Sequence, residues 1–213
     1  MPFGFRRKPT PPPPTALEAA RRAAGSGIVF EGLTEEWRLV GTMEIHGRLS
    51  DALNKREAIA IGEVSWAPLD GSAPFTTVSG LKSIDPYDLI VVLAGEDSQS
   101  AQSDAEKAAF KVHKIAYDVA LEAPPFRIVG TVSLYPGSEP DRLLDRATEM
   151  FVAVTDAVVL LGDVSMSEPG VNVVLVNRFY LRGVEQVDKR TGNPVQPLPG
   201  RPLGGVSYSD RSR

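Results

Sequence analysis

No cysteine occurs anywhere in the 213 residues. That excludes disulfides, thiolate nucleophiles and sulfur-ligated zinc or iron. A thiol-free chain suits a reducing compartment, and the expected location is cytoplasmic. Histidine is nearly as scarce, with only His46 and His113, so imidazole-based metal or acid–base sites have little to be built from. No apolar run approaches the ~20 residues that span a bilayer. The opening "MPFGFRRKPTPPPPT" has cations but lacks the apolar segment of a secretory signal. Neither the G-x-S-x-G nucleophile turn nor a G-x-x-x-x-G-K-[ST] phosphate loop is present. No catalytic residue, metal or cofactor is assigned from the sequence.

What the chain does have is ordinary globular composition, 42% hydrophobic and 23% charged. Its net charge of −4 is unevenly spread: residues 1–25 hold five cations and one anion, residues 188–213 hold five and two, leaving −11 on residues 26–187. An acidic body is a poor partner for a phosphate backbone, because nucleic-acid affinity rests on cationic neutralisation. The expected partners are other proteins or a second copy, with nucleic acid disfavoured.

Composition also divides the chain. Residues 1–14 are proline-rich, which removes backbone donors and favours extended polyproline geometry, so a flexible tail is expected. "TALEAARRAA" has Thr15 and Glu18 at capping-box spacing and Gly25 as a stop, predicting a short helix over 15–25. Ser103 and Glu106 have the same spacing and predict a linker helix within 98–110. After Val187 the sequence turns to Pro, Gly and Arg, which predicts a disordered tail over 188–213.

Between these segments the chain repeats itself. "WRLVGT" (37–42) returns as "FRIVGT" (126–131), "RLSD" (48–51) as "RLLD" (142–145), and "AIAIGEV" (58–64) as "FVAVTDA" (151–157). Three blocks in one order with short indels point to internal duplication, with one unit over 27–97 and a second over 111–187. Most blocks alternate apolar and polar residues, the mark of half-buried strands. Gly41 and Gly130 stand inside such strands, where glycine marks a bulge or bend. "DLIVVLAG" and "VNVVLVNR" read as matching fourth strands, and Glu63 and Asp156 as strand-end acids. The Gly-, Pro- and Ser-rich stretch 67–85 reads as a long loop.

The "VGT" strand, the "RLSD-x-L-N" turn and the later "TDA" and "VLVNR" strands resemble an uncharacterised bacterial domain present here twice. More distantly, the strand order is similar to Sm-like and SH3-like small β-barrels. The resemblance implies two tandem small β-barrel or β-sheet units with short connecting helices. Its Sm-like side implies an RNA-base pocket lined by an Asp, an Asn and an Arg-Gly pair; the first unit has Asp51 and Asn54 but Ala94-Gly95, and the second has Arg182-Gly183 but Asp145 and Thr148.

Seven residues stand out as interaction or turn-fixing candidates. Arg48 with Asp51, and Arg142 with Asp145, have the i,i+3 spacing of neighbours on a helical turn. Asn54 closes the first of those segments, and Asn177 with Arg178 marks a turn. Pairs of this kind fix turns more often than they run reactions. His46 matches Tyr135 across the repeat, as expected for a strand-end aromatic with a wet tip. The favoured function is a non-catalytic protein-interaction or assembly module. A nucleic-acid-binding small barrel using loop aromatics such as Phe75 and Tyr87 is one alternative, and a carboxylate-based enzyme or small-ligand sensor is another.

Overall fold

The structure, a computed structural model, describes residues 27–94, 114–145, 149–167, 173–188, 191 and 193–195. The proline-rich segment 1–14, the expected helices at 15–25 and 98–110, and most of 188–213 lie outside the described residues.

Period-two alternation becomes strand wherever it was expected. β1 (Ile28–Leu33) and β2 (Trp37–Met43) form a hairpin, and β3 (Ile59–Pro68) follows a short α-helix, Leu49–Asn54. β4 (Thr76–Thr77) and β5 (Ser83–Ile84) both pair with β3, so the 67–85 stretch is partly built rather than a plain loop. A 3₁₀ turn, Pro86–Asp88, leads into β6 (Val91–Ala94). The second half follows the same order: β7 (Ile115–Ala123), β8 (Phe126–Leu134), the 3₁₀ turn Pro140–Leu144, and β9 (Phe151–Leu161). β10 (Val164–Ser165), β11 (Val173–Asn177), the 3₁₀ turn Arg178–Tyr180 and β12 (Gly183–Gln186) complete it.

All pairings are antiparallel, and they join into one sheet of order β12-β7-β8-β9-β11-β6-β1-β2-β3-β4. This path has two ends and does not close. The protein is mainly β, but its strands form a continuous open sheet rather than two separate closed rings.

The two halves share register. Leu33 faces Arg38 as Glu122 faces Arg127, and Thr42 faces Gly62 as Thr131 faces Thr155. Ile59 faces Ile84 as Val152 faces Val176, and Val91 faces Leu33 as Gly183 faces Glu122. Both long hairpins slip register at the same point, between Val40 and Thr42 and between Val129 and Thr131. The glycine in each gap is there because a side chain has no room. A Cβ on Gly130 would lie 2.7 Å from Val154 Cγ1 and 2.9 Å from the Thr155 carbonyl. Opposite the gaps, Glu63 and Asp156 take φ +52° and +48°, a left-handed conformation that inserts the extra residue. These acids are therefore mid-strand bulge residues and not strand ends.

The registers also correct the matching of the fourth strands. β5, two residues long, is the counterpart of β11, and β6 is the counterpart of β12. β6 and β11 look alike in sequence for another reason: they are adjacent central strands buried on both faces. Val91, Val92, Leu93, Val174, Leu175 and Val176 are all nearly inaccessible. "VNVVLVNRFYL" is accordingly not an edge, since β11 lies between β9 and β6.

The hydrophobic core falls into two clusters that interlock through these strands. One contains Phe126, Ile128, Val154 and Val159 but also Leu33, Ile90, Val91 and Leu93 from the first half. The other contains Phe30, Leu39, Met43 and Leu53 together with Met150, Phe151 and Leu175 from the second. Each half thus completes the other's core.

Past β12 the chain turns back. Pro194 bridges Val187, and the Val195 amide donates to the Gln186 carbonyl at 3.0 Å. These contacts carry the described residues past Val187, as far as Val195.

Candidate functional site

The seven residues singled out by sequence divide into two groups. Arg48 is the N-cap of the Leu49–Asn54 helix, and Asp51 is exposed in its first turn. The other five gather where β9 begins. Asn54 reaches across to Phe151, its Oδ1 accepting from the amide at 2.7 Å and its Nδ2 donating to the carbonyl at 3.3 Å. Asn177, fully buried, caps the Arg178–Tyr180 turn by accepting from the Phe179 amide at 3.0 Å. Its Nδ2 donates to the Leu89 carbonyl at 2.8 Å, which ties the two halves together. Arg178, 6% exposed, donates to the carbonyls of Leu143 (2.8 Å), Arg142 (2.7 Å) and Glu149 (3.3 Å). Burial pulls the pKa of its guanidinium below the usual arginine value, and the Asp145 and Glu149 carboxylates oppose that shift.

This cluster satisfies backbone groups and holds the seam between halves. Asn54 uses both amide atoms on Phe151, and Arg178 is turned inward onto carbonyls. Neither geometry presents a base pocket or a reacting centre. Among the described residues no group of three His, Asp or Glu side chains is placed to hold a metal. His46 lies exposed beyond β2, and Tyr135 is 57% exposed.

The feature that most invites a partner was not among those candidates. Trp37 and Trp66 stack with ring centroids 5.1 Å apart and planes 26° from parallel, and both rings are more than a third exposed. Trp37 is positioned by the β1–β2 turn: Thr34 Oγ1 accepts from its amide at 3.0 Å, and the Thr34 amide donates to its carbonyl at 2.9 Å. Trp66 reaches the same face because of the bulge at Glu63. Beyond the bulge Trp66 stands opposite Leu39, and Leu39 shares a face with Trp37. Had the Thr42–Gly62 register run on unchanged, Trp66 would stand opposite Arg38 and point away.

Trp37, with Trp66 stacked on it, also lines a cleft of about 330 Å³ together with Thr34, Glu35, Glu36, Asp88 and Tyr180. Both halves build it. Asp88 ends the Pro86–Asp88 turn, which is capped by Asp85 accepting from the Tyr87 amide at 3.0 Å. Tyr180 comes from the matching turn of the second half, and its hydroxyl donates to the Tyr87 carbonyl at 3.1 Å. Burial raises the Tyr180 pKa above the ordinary tyrosine value, and the charges of Glu35 and Asp88 add to the shift. The lining holds three carboxylates and no cation, with aromatic walls. Such a site attracts cations and repels phosphate.

Among the described residues of the second half, the equivalent positions are covered. By register, Trp37 corresponds to Phe126 and Trp66 to Val159, and these are 1% and 0% exposed. There the chain continues from β9 into β10, and the Met166 amide donates to the Val159 carbonyl at 2.8 Å. A covered position in one half is an uncovered indole pair in the other.

No family model, curated protein or solved structure matches this chain.

Proposed function

We propose that this protein is a non-catalytic interaction module built from a duplicated small β unit, and that the Trp37–Trp66 cleft is its recognition surface. The duplication reading is supported by the common registers, the paired bulges and the matched 3₁₀ turns that precede β6 and β12. The interaction reading is carried by one observation. Two indoles are left stacked and exposed beside three carboxylates, at positions whose counterparts are buried. Large rings exposed together are costly unless used, and tryptophan is enriched among residues that dominate binding energy. The acids select a partner segment bearing Lys or Arg.

Panning a random peptide display library against the immobilised protein tests this reading. The wild-type protein is expected to enrich cationic peptides, and the Trp37→Ala/Trp66→Ala double variant to lose that enrichment. In parallel, single-stranded nucleic acid should show no retention that falls steeply with salt. Equal enrichment by both proteins, or salt-sensitive nucleic-acid retention, would overturn it.

A further inference from the structure

Resting on that reading, we infer that the cleft is occupied in cis by the chain's own segment 1–14, "MPFGFRRKPTPPPP". Three observations converge on it. The first is chemical fit. Arg6, Arg7 and Lys8 immediately precede a run in which Pro9 and residues 11–14 are proline. Proline-rich segments dock on exposed aromatic rings because their extended conformation is already fixed, so little entropy is lost on binding. The stacked indoles offer that platform, and Glu35, Glu36 and Asp88 stand beside it for the cations.

The second is charge. The described body is acidic, and the cleft is a local concentration of that charge without a lining cation. The segment is the matching concentration of the opposite sign. The third is reach. The described chain begins at Gly27, and β1 runs six residues from there, about 20 Å, toward the turn that carries Glu35 and Glu36. Residues 15–26 link the segment to that point. Even at the ~1.5 Å per residue of a helix, a link of that length spans most of that distance, and the fourteen residues before it are ample for the remainder. Tethering at this length gives an effective concentration in the millimolar range, so a weak contact is enough to fill the cleft.

The chain provides its own reporter, because Trp37 and Trp66 are its only tryptophans. Acrylamide quenching of their fluorescence in the full-length protein reads the cover directly. A full-length variant with Arg6, Arg7 and Lys8→Glu and residues 11–14 changed from proline to serine is expected to red-shift the emission. Its quenching constant is expected to rise about twofold as the tethered occupant leaves. Synthetic peptide 1–14, added in excess to this variant, should restore protection, and salt should weaken the wild-type protection through screening. A second variant with Arg201, Arg211 and Arg213→Glu should match the wild type. Unchanged quenching in the first variant, or a rise confined to the second, overturns the inference. The broader reading is scored separately with library-selected cationic peptides. If they protect the tryptophans while segment 1–14 does not, only the in-cis occupant fails; if neither protects them, both fail.

Discussion

Gly130 shows how little freedom a single position has in this sheet. Its missing Cβ is the space taken by Val154 Cγ1, the Thr155 carbonyl and the Ala157 Cα, the last at 3.0 Å. Two of those neighbours are backbone and cannot swing aside. Gly41 is less crowded, its tightest approaches being 3.0 Å to the Gly62 carbonyl and 3.2 Å to a Val64 methyl. Gly130→Ala is therefore expected to cost about 1–3 kcal/mol, as overpacking does, and Gly41→Ala less. Urea denaturation of both variants checks the order. Tyr180 offers a second test at this scale. An acid whose folded pKa lies above its unfolded value holds its proton longer in the folded chain. Its stabilising contribution is intact below the ordinary tyrosine pKa of about 10 and is lost as pH rises through the folded value. The difference in phenolate absorbance between wild type and Tyr180→Phe should titrate above that ordinary value. Glu35→Gln and Asp88→Asn should each bring it down; no movement in either variant would mean the cleft carboxylates do not act on the phenol. Gly41 and Gly130 could be read from sequence as breaks in regular pairing, because only glycine interrupts an alternating strand without a side chain, but the inserted residues themselves, Glu63 and Asp156 on the facing strands, could not. The indole pair could not, because a one-residue slip in register decides which face Trp66 joins, and no local pattern carries that information.

At the scale of elements, alternation places β1, β2, β7 and β8 because each buries one face and wets the other. Sequence also finds β6 and β11 as strands but pairs them as counterparts, which the registers do not support. Buried on both faces, they present uninterrupted apolar runs, and two such runs look homologous whatever their position in the fold. What separates them is the 3₁₀ turns, where Asp85 and Asn177 each cap by accepting from the amide two residues on. The short polar cap is a weak sequence signal beside the apolar residues of each strand, which explains the misalignment. Asn177 and Arg178 do fix a turn, as their sequence context implies, but they also hold the seam. Arg178→Lys keeps the charge and loses the planar fork that serves three carbonyls. That change should cost about 1–3 kcal/mol per carbonyl left buried without a donor. Thermal unfolding at several ionic strengths measures it; a large salt dependence would instead point to the Asp145 and Glu149 charges as the main contribution.

The whole molecule behaves as one cooperative body if the interlocked cores mean what they imply. Leu33, Ile90, Val91 and Leu93 are packed among second-half residues, while Met150, Phe151 and Leu175 are packed among first-half ones. Neither half retains a complete core without its neighbour. Because both tryptophans lie in the first half, their fluorescence can report on a lesion placed in the second. Gly130→Ala should lower the tryptophan-detected midpoint by the same amount as the midpoint seen by far-ultraviolet circular dichroism. A tryptophan transition that ignores the substitution would show two independently folding units.

The way the halves join has a consequence for the ends. β6, the last strand of one half, adds to β11, the last but one of the other, so donor and acceptor edges differ. A joint of that type propagates, and among the described strands one edge of each sort has no strand beside it, on β12 and on β5. The bridge from Pro194 to Val187 lies over the β12 terminus like a stopper. Ending the chain at Asp188 should uncork it, and light scattering would then report linear polymers growing with concentration, where the intact protein stays a discrete particle.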